Sequence, residues 1–150
     1  RWGARAARGQ AIVEFALVLP IFLLIVFGIF DLGRIVFLQA ALENGVRDGV
    51  RIAGREVWVR DDEGNGLNSE QYASWQSAIE ALVQSERAIS EATVTATCVE
   101  PPATPAPPPH CTYAARVTVT ASMTTSFVAS GLLPGIPAPT LEASASGELR

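Results

Sequence analysis

From Ala11 to Phe30 the chain carries a single charge, Glu14, and from Phe15 to Phe30 it carries none. At about 1.5 Å of rise per residue, a helix over that run spans about 30 Å, the thickness of a hydrocarbon core. The pattern therefore predicts a membrane-spanning helix with one carboxylate just inside its start. The helical period does not stop there. Ile35, Leu38, Leu42, Val46 and Val50 recur along one face, and beside them runs a row of small residues, Ala41, Gly45, Gly49 and Ala53. The helix is expected from about Gln10 to Glu56, roughly 70 Å long. Its membrane-spanning part is residues 11–30 and its amphipathic stalk residues 31–56. Glycine inside a helix costs about 0.8–1 kcal/mol relative to alanine, so two at i, i+4 imply a closely approaching neighbour. Two neighbours fit: the chain's own folded domain, or the same helix of another subunit.

The pattern then changes. "RDDEGNGLNSE" is a polar loop, after which Asn68 or Ser69 caps a second helix over about 70–85 with Tyr72, Trp75, Ile79, Leu82 and Val83 inward. Beyond it the period is two. Val94, Ala96 and Cys98 alternate with Thr93, Thr95 and Thr97. Val117, Val119, Ala121 and Met123 alternate with Thr118, Thr120 and Ser122. Leu141, Ala143, Ala145 and Leu149 alternate with Glu142, Ser144, Ser146 and Glu148. Three half-buried antiparallel strands read this way. "PPATPAPPPH" is a stiff, extended connection between the first two, and "SGLLPGIPAPT" a second proline-containing one. The fold class is α+β: a long N-terminal helix, a second helix and a small antiparallel sheet, with residues 57–150 as the globular domain.

A lone carboxylate costs roughly 2.5–3.5 kcal/mol at the centre of a membrane helix and less near its end. Glu14 is thus a functional candidate, with snorkelling to the interface as the plainer reading. Pro20 removes the hydrogen bond to the carbonyl of Ala16, so a kink or local opening is expected there. Asp31 and Arg34 form an i, i+3 pair where the apolar run ends. Charge orients the whole. Arg1, Arg5 and Arg8 precede the run with no acid among them, whereas the remaining chain holds all 15 acids and the other eight of 11 arginines. Residues 1–9 are therefore a basic cytoplasmic head and the rest lies outside. A cleaved signal peptide is the rival, but the run is long for one and no small-x-small site follows it, so retention is expected. The formal net charge of −4 and the absence of a basic face on the domain argue against nucleic acid as a partner.

Cys98 and Cys111 fall on the outer side, where a disulfide is the natural reading and two buried free thiols the alternative. A loop of that size would gain on the order of 3 kcal/mol from closure. Beside His110 no further ligand completes a zinc set. Asp61, Glu63, Asn65 and Gly66 resemble part of a calcium loop, but its twelfth position is Tyr72 rather than glutamate. A solvated turn is the default, with no metal or cofactor expected. Thr104 and the Thr/Ser strand faces are compositional candidates for O-glycans. No nucleophile, base and orienting group can be assembled, so no enzyme is expected.

"RGQAIVEFALVLP" resembles the N-terminal signature of the TadE-like proteins, pilin-like components of the tight-adherence (Flp) pilus system. The pattern is a basic leader ending in glycine, then a long apolar helix with an early glutamate. The likeness continues through "FGIFDLGRIVFLQAALENGVRDGVRIAG", with an Asp/Gly/Arg turn out of the membrane, and more weakly in "TLEASASGELR". It implies a pilin-like fold and a prepilin-type peptidase cutting between Gly9 and Gln10. Glu14 would then pair with the new amine of Gln10 on an adjacent subunit, two charges tolerable at low dielectric because they neutralise each other. If the basic head is retained, Arg5 or Arg8 of a neighbour takes that part.

The expected function is a structural subunit of a pilus-like filament. It inserts in the bacterial inner membrane with its N-terminus cytoplasmic and assembles through the apolar helix into an extracellular, cell-surface filament. Its partners would be further copies of itself, other pilins, the inner membrane and the peptidase. Two alternatives stand: a minor TadE-like pseudopilin supporting another pilin, and a single-pass anchor for a small extracytoplasmic binding domain. An anchor needs only about 20 residues of helix, so the longer helix favours the first two.

Overall fold

The computed structural model describes residues 3–60, 66–99, 111, 115–128 and 135–148, with side chains in the first helix described from Gln10 to Val57. Helix α1 runs Gly3–Arg60 and α2 Ser69–Gln84, followed by a short 3-10 turn at Arg87–Ile89. Strands β1 (Thr93–Val99), β2 (Arg116–Thr124) and β3 (Thr140–Glu148) complete the chain. They form an antiparallel sheet in the order β1-β2-β3, with Ala96 opposite Val119 and Val119 opposite Ala145. The α+β architecture expected from the pattern is the one observed. Helix α1 begins earlier than expected and ends four residues later, and Pro20 lies inside it.

The chain packs as two compact units. One comprises Arg1–Val36 with Ser126–Ala138, the other Phe37–Thr125 with Pro139–Arg150. The latter part of the expected stalk is therefore an integral element of the folded unit; residues 130–134 of "SGLLPGIPAPT" lie outside the described residues.

In the folded unit the core has three sources. Leu38, Leu42, Val46, Ala53 and Val57 come from α1, Trp75, Ile79 and Val83 from α2, and Val117, Val119, Ala121 and Leu141 from the sheet. The α1 row recurs at steps of four and seven residues because one and two helical turns bring those side chains to one face. Helix α2 starts at a capping box: the Asn68 side chain accepts from the Gln71 N–H at 2.9 Å, and the Gln71 side chain accepts from the Asn68 N–H at 2.8 Å. Gly66, at φ 84°, supplies the left-handed residue that leads into this cap. Of the inner face expected for α2, Trp75, Ile79 and Val83 are buried, while Tyr72 and Leu82 lie at its half-exposed margin. The Trp75 indole donates to the Ala53 carbonyl at 3.1 Å, so its polar atom is satisfied inside the core. Ala96, Val117, Val119, Ala121, Leu141 and Ala143 are buried, Val94, Cys98, Met123 and Ala145 are half-buried, and Thr93, Thr95, Thr97 and Thr120 face outward; Leu149 lies outside the described residues.

Side-chain amides finish the sheet edges. Gln76 donates to the Ala96 carbonyl at 2.8 Å on β1, and Gln39 to the Glu142 carbonyl at 3.0 Å on β3. Blocking edge carbonyls in this way withdraws them from pairing with another strand. Cys98 and Cys111 are joined in a disulfide.

Candidate functional site

The residues singled out by the sequence fall into two groups with different surroundings. In the first unit, α1 is apolar, and among the described residues most of its side chains there are exposed. Ile12, Val13, Phe15, Leu17, Ile21 and Phe22 are all exposed. Among the described residues this is one helix long and apolar enough to cross a membrane. An uninterrupted apolar surface of this kind is costly in water and marks contact with lipid or another protein.

Glu14 lies within that surface and is exposed. The Gln10 side-chain amide, one turn earlier, donates to its Oε1 at 3.1 Å. An i, i+4 pair is the local partner a helix can offer a carboxylate from its own sequence. The side chains of Arg5 and Arg8 are outside the described residues, as is any side-chain detail around Gly9, whose backbone is helical.

Asp31 and Arg34, the i, i+3 residues at the end of the apolar run, both reach a backbone segment far along the chain. The Asp31 carboxylate is only 5% exposed, and its Oδ1 accepts the Val128 N–H at 2.7 Å. Arg34 reaches the Ser126 carbonyl at 3.4 Å. The "FDLGR" stretch is helical throughout rather than a turn. Its two charged residues hold a backbone segment from far along the chain against the end of the apolar run. A short hydrogen bond from a backbone amide to a carboxylate is among the stronger neutral-to-charged contacts. Sequence reasoning missed this tether, because an amide donor leaves no trace in residue identity.

The small-residue row lies in the second unit. A Cβ on Gly45 would stand 2.9 Å from Ile89 Cδ1 and 3.2 Å from Val83 Cγ1. On Gly49 it would meet Val83 Cγ2 at 3.2 Å and Val119 Cγ1 at 3.3 Å. Ala41 and Ala53 are buried in the same unit. The close neighbours of the row are thus α2, the 3-10 turn and β2 of the chain's own domain.

The hydroxyl face of the sheet forms an open depression of about 580 Å³, lined by Thr93, Thr95, Thr120, Ser122, Glu142 and Ser144. Its hydroxyls serve backbone geometry, as where Thr120 Oγ1 donates to the Thr95 carbonyl at 3.3 Å. Among the described residues no three of His, Cys, Asp and Glu are grouped to hold a metal. The calcium-like positions 61–65, His110 and Thr104 lie outside the described residues.

The model of the TadE-like protein family matches residues 9–51, the stretch that contains Gln10, Glu14, Pro20, Asp31 and the glycine pair. The resemblance read from "RGQAIVEFALVLP" holds over this N-terminal third. The family is a structural one associated with the Tad pilus. No curated protein and no solved structure gives a significant match to the chain.

Proposed function

We propose that this chain is a pilin-like structural subunit that resides in the inner membrane and assembles through its apolar N-terminal helix into an extracellular filament. The observation that carries this reading is the asymmetry of α1. Its second part is covered by its own domain, whereas its first part presents an apolar surface with Glu14 in it and a match to a pilus-associated family. Lipid covers such a surface before assembly, and the same segment of neighbouring copies covers it afterwards. Glu14 then has two successive partners. Within the subunit the Gln10 amide satisfies part of the carboxylate. On assembly a cation from a neighbour, the amine of Gln10 after cleavage or Arg5 or Arg8 of a retained head, neutralises it.

A second reading is a minor subunit that supports assembly of a different pilin. It is favoured by the TadE-like match together with a substantial folded unit carrying its own core. The two separate in one experiment. Surface material sheared from cells is imaged and the chain's intact mass is measured. Filaments made of this chain support the first reading, and filaments of another protein with this chain at trace level support the second. In either case Glu14→Ala is expected to leave membrane insertion intact while sharply lowering incorporation. Normal incorporation of that variant would remove charge pairing from the proposal.

A further inference from the structure

The apolar residues of α1 do not by themselves fix how deep the helix sits in a bilayer. In the first unit its exposed apolar side chains run from Ile12, at 68%, to Val36, at 61%. That is about 36 Å of helix at about 1.5 Å per residue, whereas a hydrocarbon core is about 30 Å thick. The surface is longer than the slab by about one turn, so two placements each cover most of it. With the outer edge of the slab at Asp31, the inner edge falls near Ala11 and Glu14 lies about 4.5 Å inside the hydrocarbon. With the outer edge at Val36, the inner edge falls near Ala16 and Glu14 lies just outside, among the headgroups at the N-terminal end. The exposed Glu14 carboxylate favours the second placement, because headgroups and water solvate it and hydrocarbon does not.

What opposes that placement is fastened at Asp31. The Asp31 side chain is only 5% exposed and its Oδ1 accepts the Val128 N–H at 2.7 Å. A carboxylate shielded and bonded in this way resists immersion less than a bare one. The segment that it holds resists more. Arg34 donates to the Ser126 carbonyl at 3.4 Å, so two side chains of α1 carry the same piece of backbone. Ser126 and Val128 are exposed, and at Ser126 and Phe127 the backbone belongs to no helix or strand. Irregular backbone facing lipid leaves its polar groups without water, and such segments do not occur within hydrocarbon. Placing the slab edge at Val36 would draw Asp31 and the segment bonded to it about 7.5 Å below the surface.

We infer that Ser126–Val128, held by Asp31 and Arg34, is a stop that sets the membrane register of α1 and keeps Glu14 inside the hydrocarbon. Asp31 and Arg34 are positioning residues. They act on a carboxylate about 25 Å away along the helix through depth alone. The bilayer is the partner because the stop stands one hydrocarbon thickness from the start of the apolar run. Held at that depth, Glu14 remains in low-dielectric surroundings where a cation from a neighbouring copy relieves it. The same carboxylate among headgroups would already be solvated and would gain less from that cation.

This inference rests on the helix crossing the membrane, and the test separates the two. The full chain is reconstituted in vesicles of phosphatidylcholine and phosphatidylglycerol, with its disulfide oxidised and iodide on both faces. One environment-sensitive thiol fluorophore is placed at Val13→Cys, Phe22→Cys or Val36→Cys. Quenching of the Phe22 site by lipids carrying a deep nitroxide establishes the span. With Asp31 intact, iodide should quench the Val36 site several-fold more than the Val13 site. Adding Asp31→Ala should reverse that order while Phe22 stays within reach of the deep nitroxide. Asp31→Asn, which keeps an Oδ1 acceptor for the Val128 N–H but no charge, should restore the original order. A second arm leaves the tether intact: in thicker bilayers of longer-chain lipid, the Val13 site should become better protected and the Val36 site stay open to iodide. Native depth in Asp31→Ala overturns the inference, as does protection of Val36 in the thicker bilayers. A reversal in Asp31→Asn equal to that in Asp31→Ala also overturns it, since the charge alone would then be the stop. Loss of deep quenching at Phe22 in the native chain would instead overturn the membrane reading on which it rests.

Discussion

Leu17 and Leu42 belong to the same helix and carry the same side chain, yet one is 71% exposed and the other 0%. Around Leu17 the described apolar residues of the helix are exposed. Around Leu42 it is one wall of a core completed by α2 and the sheet. Fully burying a leucine is worth about 1.5–3 kcal/mol relative to leaving it in water. The second region collects that stabilisation within the chain, whereas the first can collect it only from lipid or another molecule. Helix α1 thus combines a region that folds with a region that waits for an environment, and the change falls near Val36 and Phe37.

The strongest way to break this comparison is to truncate the two leucines in parallel. Leu42→Ala removes a fully enclosed side chain and should cost the folded unit about 2–5 kcal/mol, read from denaturant unfolding of the detergent-solubilised chain. Leu17→Ala should leave that transition where it is and act on assembly instead. Equal shifts in unfolding would mean that both regions share one core.

Much of this division was legible in the residues before any coordinates. Twenty residues with one charge can be read as a span without knowing their partners, and period-two runs of Val and Thr specify both the strands and which face is wet. Glu14 was conspicuous because it is the single charge between Ala11 and Phe30. The small-residue row was only half legible. Gly45 and Gly49 announce that something comes close, but spacing is the same whether that neighbour is Val83 of this chain or a helix of another. The Asp31 tether was illegible for a different reason. Its donor is a backbone N–H 97 positions away, and every residue except proline has one.

A second test concerns the folded unit alone. The Cys98–Cys111 bridge closes a loop across a sequence separation of 13, at the end of β1 in the folded unit. Replacing both cysteines with serine should destabilise that unit by about 3 kcal/mol in the chain-entropy account. The helical signal of the apolar region in detergent should be unchanged. If that signal melts together with the sheet, the two regions are more tightly coupled than their separate packing implies.

The subtlest comparison uses one substitution, glycine to alanine, in both regions. At Gly33 a new Cβ meets nothing within 4 Å, so only the backbone term acts. Alanine is the better helix former by about 0.8–1 kcal/mol, and hydrogen exchange of the amides around residue 33 should slow accordingly. At Gly45 the same intrinsic gain is present, but the Cβ stands 2.9 Å from Ile89 Cδ1 and 3.2 Å from Val83 Cγ1. Overpacking a filled core costs about 1–3 kcal/mol. Ile89 Cδ1 is the end of a side chain that can rotate, which places the cost toward the lower end of that range. The two contributions then nearly cancel, and Gly45→Ala should be neutral to mildly destabilising in unfolding of the folded unit. Opposite responses would show that the helix is limited by its own backbone in one region and by its neighbours in the other. A clear gain at both sites would mean that α1 is held less closely against Val83 and Ile89 than these distances require.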